Sequence, residues 1–259
     1  METPRLDAEL LTAHALGLPR LQLYIQFDRP LSPTELAAIR ELVKRRQAGE
    51  SVAYLLGKKE FFGLELAVDR RVLVPRPDTE TLVDEALERG RGAARVADVA
   101  TGSGAIAIAL ASRLPQASVY ASDVSADALA VARANAERHG MAITFVEGDL
   151  DAPLAAHGPF DLVTANLPYI LTGELAALPP EVRAEPRLAL DGGPDGLALV
   201  RRLVVAAPRL LAAGGVLVLE VGAGQAPATA ELLAAAGLTA VRLRRDLGQV
   251  ERVVSGQKP

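Results

Sequence analysis

A glycine-containing turn joins a predicted strand to a predicted helix, and its residues are Ala100, Thr101, Gly102, Ser103 and Gly104. A turn of this kind brings a ligand to the N-terminus of the following helix, where unpaired N–H groups are available. Gly102 and Gly104 allow close approach of the backbone, because a Cβ at either position would block it. These residues are therefore predicted to bind a cofactor, although a tight turn without a ligand fits the same pattern.

Carboxylates end the next two predicted strands. Asp123 lies about twenty residues after the glycine turn, where a doubly wound fold grips the hydroxyls of a ribose. Asp149 follows the strand predicted over residues 143–147 and suits an adenine amino group, with Leu150 packing on the ring. Nicotinamide enzymes and methyltransferases both use the first device, and Asp123 also fits an N-cap of the helix from residue 126.

The fourth predicted strand, residues 160–165, is followed by Asn166-Leu167-Pro168-Tyr169 at the same edge of the sheet. Asn and Pro are common in turns, so this segment alone fits a simple turn. Together with the upstream residues, it resembles the Asn/Asp-Pro-Pro-Tyr/Phe signature of methyltransferases that act on nitrogens conjugated to a planar π-system. Leu167 is a departure, since that signature has proline there.

The resemblance implies a chemistry for this segment. The nitrogen of an amide or aryl amine is a poor nucleophile because its lone pair is delocalised, so the enzyme must orient it. The Asn166 side-chain oxygen and the carbonyl of Leu167 would accept its two N–H bonds. Tyr169 would offer an aromatic face, while Leu167 keeps the carbonyl but relaxes the backbone. Asn166, Leu167, Pro168 and Tyr169 are thus predicted to be catalytic, and Asn166 also to contact the cofactor.

The elements that position these residues fall into three segments. Apolar residues recur at helical spacing over residues 6–47, where a serine before a proline and a glutamate three residues later indicate a helix start. Alternating apolar residues on both sides of residues 69–71 predict a β-hairpin. Alternating strands and helices then predict a mainly parallel, doubly wound α/β sheet. The predicted segments are a small all-helical domain (1–60), a β-hairpin linker (61–78) and a catalytic domain (79–259).

Composition excludes several classes of function. The 259 residues include no cysteine, which excludes disulfides, thiolate zinc sites and a thiol nucleophile. A net charge of −4 provides no global field for nucleic acid, and the run Lys44-Arg45-Arg46 is interpreted as a solvated helix face. No metal-ligand constellation, secretory signal or apolar run of ~20 residues is evident, so a cytoplasmic protein is expected. Asp98 and Glu220 are further acids near the predicted site, with a structural or a cofactor-contacting role.

Motifs along the whole chain resemble the release factor glutamine methyltransferases, the HemK/PrmC family. They lie at residues 7–11, 52–57, 60–63, 72–80, 185–190, 195–197 and 219–222. The resemblance implies S-adenosyl-L-methionine as cofactor, a seven-stranded Rossmann-like domain, and methylation of the glutamine in the Gly-Gly-Gln loop of peptide chain release factors. It also implies a monomer whose N-terminal domain helps hold the release factor. Ala100 is a second departure, since the family usually has glycine there and the extra methyl group reduces the room beside the methionine moiety.

Other assignments fit less of the chain. A sister family that methylates a ribosomal protein typically reads Pro-Arg-Ser where this chain has Pro75-Arg76-Pro77. A DNA adenine methyltransferase needs a basic cleft and a base-flipping surface, and a nicotinamide oxidoreductase needs G-x-G-x-x-G spacing. A non-catalytic methyltransferase-like module would have lost cofactor or substrate groups, whereas Asp123 and Asn166 are present; cofactor titration followed by a turnover assay separates the two.

Overall fold

The N-terminal segment is helical, as predicted. The computed structural model describes residues 3–259. The first helices are α1 (Pro4–Leu16), α2 (Arg20–Ile25), α3 (Pro33–Gln47) and α4 (Val52–Leu56). The predicted start of α3 is a capping box: the Ser32 hydroxyl accepts the N–H of Glu35, and the Glu35 carboxylate accepts the N–H of Ser32 at 2.8 Å. This reciprocal cap fixes the direction in which α3 leaves the preceding loop.

A two-stranded hairpin follows, at a different place from the one predicted. Strands β1 (Lys58–Phe61) and β2 (Leu64–Ala67) pair antiparallel, and the turn is Phe62-Gly63, not residues 69–71. Both turn residues have positive φ, 51° and 76°, as a two-residue hairpin turn requires. Residues 72–75 do not form the second strand. A side chain anchors this segment instead: the Tyr54 hydroxyl donates a hydrogen bond to the Val72 carbonyl at 2.6 Å.

The rest of the chain forms the predicted doubly wound sheet. Its strands are β3 (Arg95–Val99), β4 (Ser118–Asp123), β5 (Ile143–Glu147), β6 (Phe160–Asn166), β7 (Leu211–Glu220), β8 (Thr239–Arg245) and β9 (Glu251–Gln257). Their order is β5-β4-β3-β6-β7-β9-β8, with β9 antiparallel to both of its neighbours. The strand order reverses between β3 and β6, so the carboxyl ends of these strands form the crevice where such folds bind ligands.

Helices cover both faces of this sheet. They are α5 (Glu80–Arg89), α6 (Ala105–Arg113), α7 (Ala126–Arg138), α8 (Pro180–Arg183), α9 (Ala198–Leu210) and α10 (Ala226–Ala235), with 3-10 turns at Pro77–Thr79, Ala152–Leu154, Thr172–Ala177 and Arg187–Ala189. One apolar core lies between the sheet and α9 and α10, and a second lies between the opposite face and α5 and α6. Within residues 3–259, no helix has the length and hydropathy needed to cross a bilayer.

Side chains of the helical segment reach the sheet domain. Arg46 is buried and pairs with Asp7 of α1 at 2.9 Å and with Glu181 of α8 at 2.8 Å. The interpretation of Lys44-Arg45-Arg46 as a solvated face is therefore wrong for Arg46, although Lys44 and Arg45 are exposed. The arginine is instead part of the contact between the two halves of the molecule.

Candidate active site

A cavity of about 380 Å³ opens at the carboxyl ends of β3, β4 and β6. Its size falls in the range of small-molecule sites. Its lining comes from the segment after the hairpin, the glycine turn, the ends of β4 and β6 and the 3-10 turn Arg187–Ala189. Most of the predicted site residues line it: Ala100, Thr101, Gly102, Ser103, Asp123, Asp149, Leu150, Asn166, Leu167 and Pro168.

The glycine turn is held by hydrogen bonds at three points. The Thr101 N–H donates to the Ser122 carbonyl, and the Gly102 N–H donates to Asp123 Oδ2, both at 2.9 Å. The Ser103 carbonyl accepts from the buried amide of Asn135 on α7 at 2.9 Å. A Cβ at Gly102 would meet nothing within 4 Å, so the backbone there faces open space in the cavity. The turn is therefore rigid while leaving room for a bound group.

Gly104 lies where α6 begins, and its part in cofactor binding stays a prediction. It does not line the cavity, and a Cβ there would lie 3.1–3.3 Å from Ile108 and Ala132. Its φ of 82° also favours glycine. The residue therefore allows α6 to start and to pack on α7, and it leaves the space for a ligand to Gly102.

Asp98 stabilises the glycine turn through a hydrogen bond with Thr101. Its side chain is fully buried, and its carboxyl accepts the Thr101 hydroxyl at 2.7 Å and the Thr164 hydroxyl at 2.8 Å. Burial raises the pKa of Asp98 to about 7, although both hydroxyls lower it. The structure thus gives Asp98 the supporting role, because it does not line the cavity.

Asp123 lines the cavity, and of the two roles weighed for it the structure excludes the N-cap of α7, while ribose binding stays a prediction. One carboxylate oxygen accepts the Gly102 N–H, and the other accepts the Ser125 N–H, both at 2.9 Å. Ser125, not Asp123, is the N-cap of α7. Burial raises the pKa of Asp123, and these backbone N–H groups lower it. The carboxylate therefore ties the glycine turn to the start of α7 at the wall of the cavity.

The opposite end of the cavity is formed by Asp149 and Leu150. Asp149 is exposed and accepts from Arg202 at 2.5 Å. Leu150 is buried, packs in the core and adopts a positive φ of 50°. A non-glycine residue in this region is strained and is usually held there by its surroundings. The arrangement fixes an apolar surface beside a carboxylate, as an adenine site needs.

Asn166 stands at the end of β6 with its amide oriented. The residue lines the cavity, and its Nδ2 donates to Thr79 Oγ1 at 3.2 Å, so Oδ1 is the side-chain atom left to accept a hydrogen bond. The neighbouring Leu167 is only 1% exposed and packs in the core. Although leucine does not restrict φ as proline does, this packing anchors the segment at the same point. The cavity therefore presents an oriented oxygen on a fixed loop.

The segment after Asn166 packs closely against two glycines and is hydrogen-bonded by one glutamine. A Cβ at Gly192 would lie 2.7 Å from both the Pro168 carbonyl oxygen and Tyr169 Cα. Gln225 accepts from the Gly222 N–H at 2.8 Å and donates to the Tyr169 carbonyl at 3.0 Å. These contacts leave the loop little freedom to move away from the cavity.

Tyr169 does not line the cavity. A Cβ at Gly222 would lie 3.1 Å from the tyrosine ring, and burial raises the pKa of the Tyr169 hydroxyl. The ring thus lies on the Gly222 side of the loop, and its stacking on a substrate stays a prediction.

Sequence reasoning missed Thr79 and the Arg76–Glu185 pair. Arg76 lines the cavity and donates to the buried Glu185 at 2.6 Å, and burial raises the pKa of that carboxyl while Arg76 lowers it. All three residues lie in segments that carried the family resemblance, which was the available signal. Their spacing along the chain gave no reason to pair them. Within residues 3–259, no group of three potential metal ligands occurs, and no metal site was predicted.

Two family models match parts of this chain. Residues 1–57 match the family model for the PrmC N-terminal domain, and residues 96–183 match that for a methyltransferase domain. The release factor glutamine methyltransferase of Geobacter sulfurreducens is 48% identical, covering 99% of this chain and 90% of the relative. That of Bordetella pertussis is 46% identical, covering 98% and 94%.

Solved structures resemble the fold. A methyltransferase from Pyrococcus furiosus gives a TM-score of 0.58 at 19% identity, covering 84% of this chain and 98% of that one. A 16S rRNA methyltransferase of T. thermophilus, in complex with AdoMet and guanosine, gives 0.55 at 19% identity, covering 78% and 50%. The doubly wound sheet and the match of residues 96–183 to the methyltransferase domain model together define a Rossmann-like methyltransferase. By its identity to full-length relatives, the chain belongs to the release factor glutamine methyltransferase family.

Proposed function

We propose that this protein transfers a methyl group from S-adenosyl-L-methionine to the side-chain amide nitrogen of the glutamine in the Gly-Gly-Gln loop of peptide chain release factors. The observation that carries the proposal is the orientation of Asn166, a cavity-lining residue whose Nδ2 is bound by Thr79, so that Oδ1 is the side-chain atom left to accept a hydrogen bond. An amide nitrogen donor requires an acceptor at this point.

The residues present fit the cofactor. The open space at Gly102, beside the start of α6, suits the methionine part, and Asp123 suits the ribose. Leu150 suits apolar stacking on an adenine ring, and Asp149 suits a hydrogen bond to the adenine amino group. When bound, S-adenosyl-L-methionine supplies its sulfonium methyl: the nitrogen–carbon bond forms as the carbon–sulfur bond breaks, sulfur keeps that electron pair, and the nitrogen releases one proton.

The residues of the chain act by orientation. Asn166 Oδ1 and the carbonyl of Leu167 accept the two N–H bonds of the substrate amide, which directs the nitrogen lone pair and disfavours its conjugation with the carbonyl. Leu167 is held by core packing and the next two residues by Gly192 and Gln225. Positioning of this kind contributes most when the acceptors are already fixed before the substrate arrives.

The proposal extends to partners and location. The release factor is bound as a folded protein, with the N-terminal helices α1–α4 contributing to its recognition, and the enzyme acts as a monomer in the cytoplasm without direct contact to nucleic acid. The net charge of −4 supports this, because a DNA or RNA substrate calls for a basic surface. A ribosomal protein glutamine is the alternative substrate within the same chemistry.

The test is incubation with S-adenosyl-L-methionine and a purified bacterial release factor, beside an Asn166→Ala variant, with the methyl group located by peptide mass spectrometry. One methyl on the Gly-Gly-Gln glutamine, absent with the variant, is expected. Transfer to a ribosomal protein or DNA but not to the release factor would replace the proposed substrate. Absence of cofactor binding would indicate a non-catalytic module.

A further inference from the structure

Glu220 is a buried acid that the proposed transfer does not use. It ends β7 directly opposite Asn166 at the end of β6, in the parallel register of the two strands. Glu220 is 1% exposed, and its Oε2 has no hydrogen-bond partner in the part of the chain that the structure describes. A buried carboxyl oxygen without a partner is costly, so its retention beside the catalytic asparagine needs a reason.

Thr79 contacts the Asn166 side chain. It belongs to the 3-10 turn Pro77–Thr79, is 3% exposed, and accepts the Nδ2 hydrogen of Asn166 through Oγ1. A hydroxyl that accepts one hydrogen bond still has its own hydrogen to donate. The Glu220 carboxyl lies near both side chains, since hydrogen bonding from Thr79 and from Asn166 lowers its pKa.

We propose that Glu220 is a positioning residue that acts through the Thr79 hydroxyl to hold the Asn166 amide in one orientation. The hydrogen bond from Asn166 Nδ2 to Thr79 Oγ1 is observed, and in the proposed arrangement the Thr79 hydroxyl donates in turn to the Glu220 carboxyl. An asparagine amide that turned over would present its NH₂ to the substrate NH₂, so two donors would face each other. The proposal rests on the proposed function and concerns how its acceptor is kept in place.

The surroundings of Glu220 agree with this role. Burial raises its pKa to about 7, while Thr79, Arg252 and Asn166 lower it and Asp78 raises it. Arg252 is already engaged with Asp246 at 3.2 Å, so it does not form a direct ion pair with Glu220. The Glu220 carboxyl is therefore available to interact with Thr79 and Asn166.

The decisive variants are Glu220→Leu, Glu220→Gln, Thr79→Val and Thr79→Ser, assayed with a purified release factor. Glu220→Leu and Thr79→Val are expected to lower kcat about 10- to 100-fold and to leave the Kd for S-adenosyl-L-methionine within about threefold. Thr79→Ser keeps the hydroxyl and should retain most of the activity. Glu220→Gln keeps an acceptor and the shape, so it should fall between these, and it tests the proposal if the leucine variant does not fold.

Combining the changes tests the connection itself. If Glu220 acts through Thr79, Glu220→Leu with Thr79→Val should lose no more kcat than either change alone. Multiplied losses, or Thr79→Ser as damaged as Thr79→Val, would overturn the proposal. The matched controls are Glu85→Gln and Thr229→Val, buried residues of α5 and α10 away from the cavity, which should keep kcat within about twofold.

A second readout does not depend on turnover. The Asn166 side-chain NH₂, assigned by its loss in Asn166→Asp, should exchange slowly with solvent in the wild type and in Glu85→Gln, and faster in Glu220→Leu and Thr79→Val. Unchanged exchange in those two variants would overturn the inference. Wild-type protein that shows slow exchange but no glutamine methylation would contradict the proposed function alone.

Discussion

At the residue scale, the buried Asp98 makes stability depend on pH. Because its pKa in the folded protein, about 7, lies above the ordinary value of 3.8, the folded state binds its proton more tightly than the unfolded state. The free energy of unfolding should therefore fall as pH rises from about 4 to about 7. Asp98→Asn should remove this pH-dependent decrease in the free energy of unfolding, which amounts to up to about 4 kcal/mol.

The measurement is urea unfolding of both proteins at pH 5 and pH 8. Asparagine keeps one acceptor for the Thr101 and Thr164 hydroxyls, which can reorient. The variant should gain on the wild type at the higher pH; an equal pH dependence in both proteins would show that Asp98 is ionised throughout. Glu220 contributes with the same sign, so the difference between variant and wild type is the relevant quantity.

Ala100 carries backbone strain at the cavity wall, with φ of 57°. Ala100→Gly should raise the free energy of unfolding by about 0.5–1 kcal/mol, since relief of the left-handed strain exceeds the added entropy of the unfolded chain. It should also tighten binding of S-adenosyl-L-methionine, because a methyl group leaves the cavity. Ala240→Gly is the control, with φ of 47° at an exposed position outside the cavity.

Urea unfolding and calorimetric titration of cofactor check the pair. Both variants should gain stability, and only Ala100→Gly should change affinity. A loss of stability confined to Ala100→Gly would mean that its Cβ packing against the core outweighs the strain.

Single residues at the ends of strands were predictable, whereas their partners were not. Asp123 and Asn166 follow apolar runs, so their place at the sheet edge could be inferred from the sequence. Thr79 is 87 positions away from Asn166, and only the folded sheet brings the two together. Gly104 looked like Gly102 in the sequence, but its role comes from the packing of α6 on α7.

At the element scale, the loop after β6 depends on the absence of a side chain at Gly192. Its φ does not require glycine, so Gly192→Ala tests the steric contact with the backbone of Pro168, Tyr169 and Gly196 without added backbone strain. We expect kcat to fall at least 10-fold while cofactor affinity changes less than about threefold, because the loop is displaced and the glycine turn is not. Kinetic assays with equilibrium cofactor binding measure both.

Gly173→Ala is the matched control for this substitution. A Cβ at Gly173 meets nothing within 4 Å, and the residue lies in the 3-10 turn Thr172–Ala177 beside the same segment. It should keep both parameters. Equal kcat for Gly192→Ala and Gly173→Ala would show that the loop yields without harm.

The hydrophobic pattern of the sequence predicted the elements of the large sheet but not the position of the hairpin. Alternation correctly predicted strands β3 to β9 and their covering helices, since each has its own hydrophobic period. The hairpin was displaced because residues 64–68 and 72–74 alternate equally well, and periodicity does not show which pair of strands will bond. Backbone geometry at Phe62-Gly63 decided it, and a phenylalanine in a left-handed turn gives no sequence signal.

At the scale of the whole molecule, the helical segment and the sheet domain are joined by contacts of long sequence separation. Tyr54 reaches Val72, and Arg46 reaches Glu181, which is 135 positions away. Apolar periodicity predicted the segments of the chain but not such pairs, because a charge run is usually solvated. These contacts join the N-terminal helices to the rest of the chain.

Arg46→Met tests that connection. Removing the guanidinium leaves the Asp7 carboxylate, only 14% exposed, without its partner, so the free energy of unfolding should fall by about 1–3 kcal/mol. If the helices help to hold the release factor, its KM should rise more than the cofactor KM. Arg45→Met is the control, because the 45% exposed Arg45 pairs with Glu50 within the same segment and should cost less than about 1 kcal/mol. Equal effects of the two variants on stability and on both KM values would show that the contact with Glu181 does not connect the two halves.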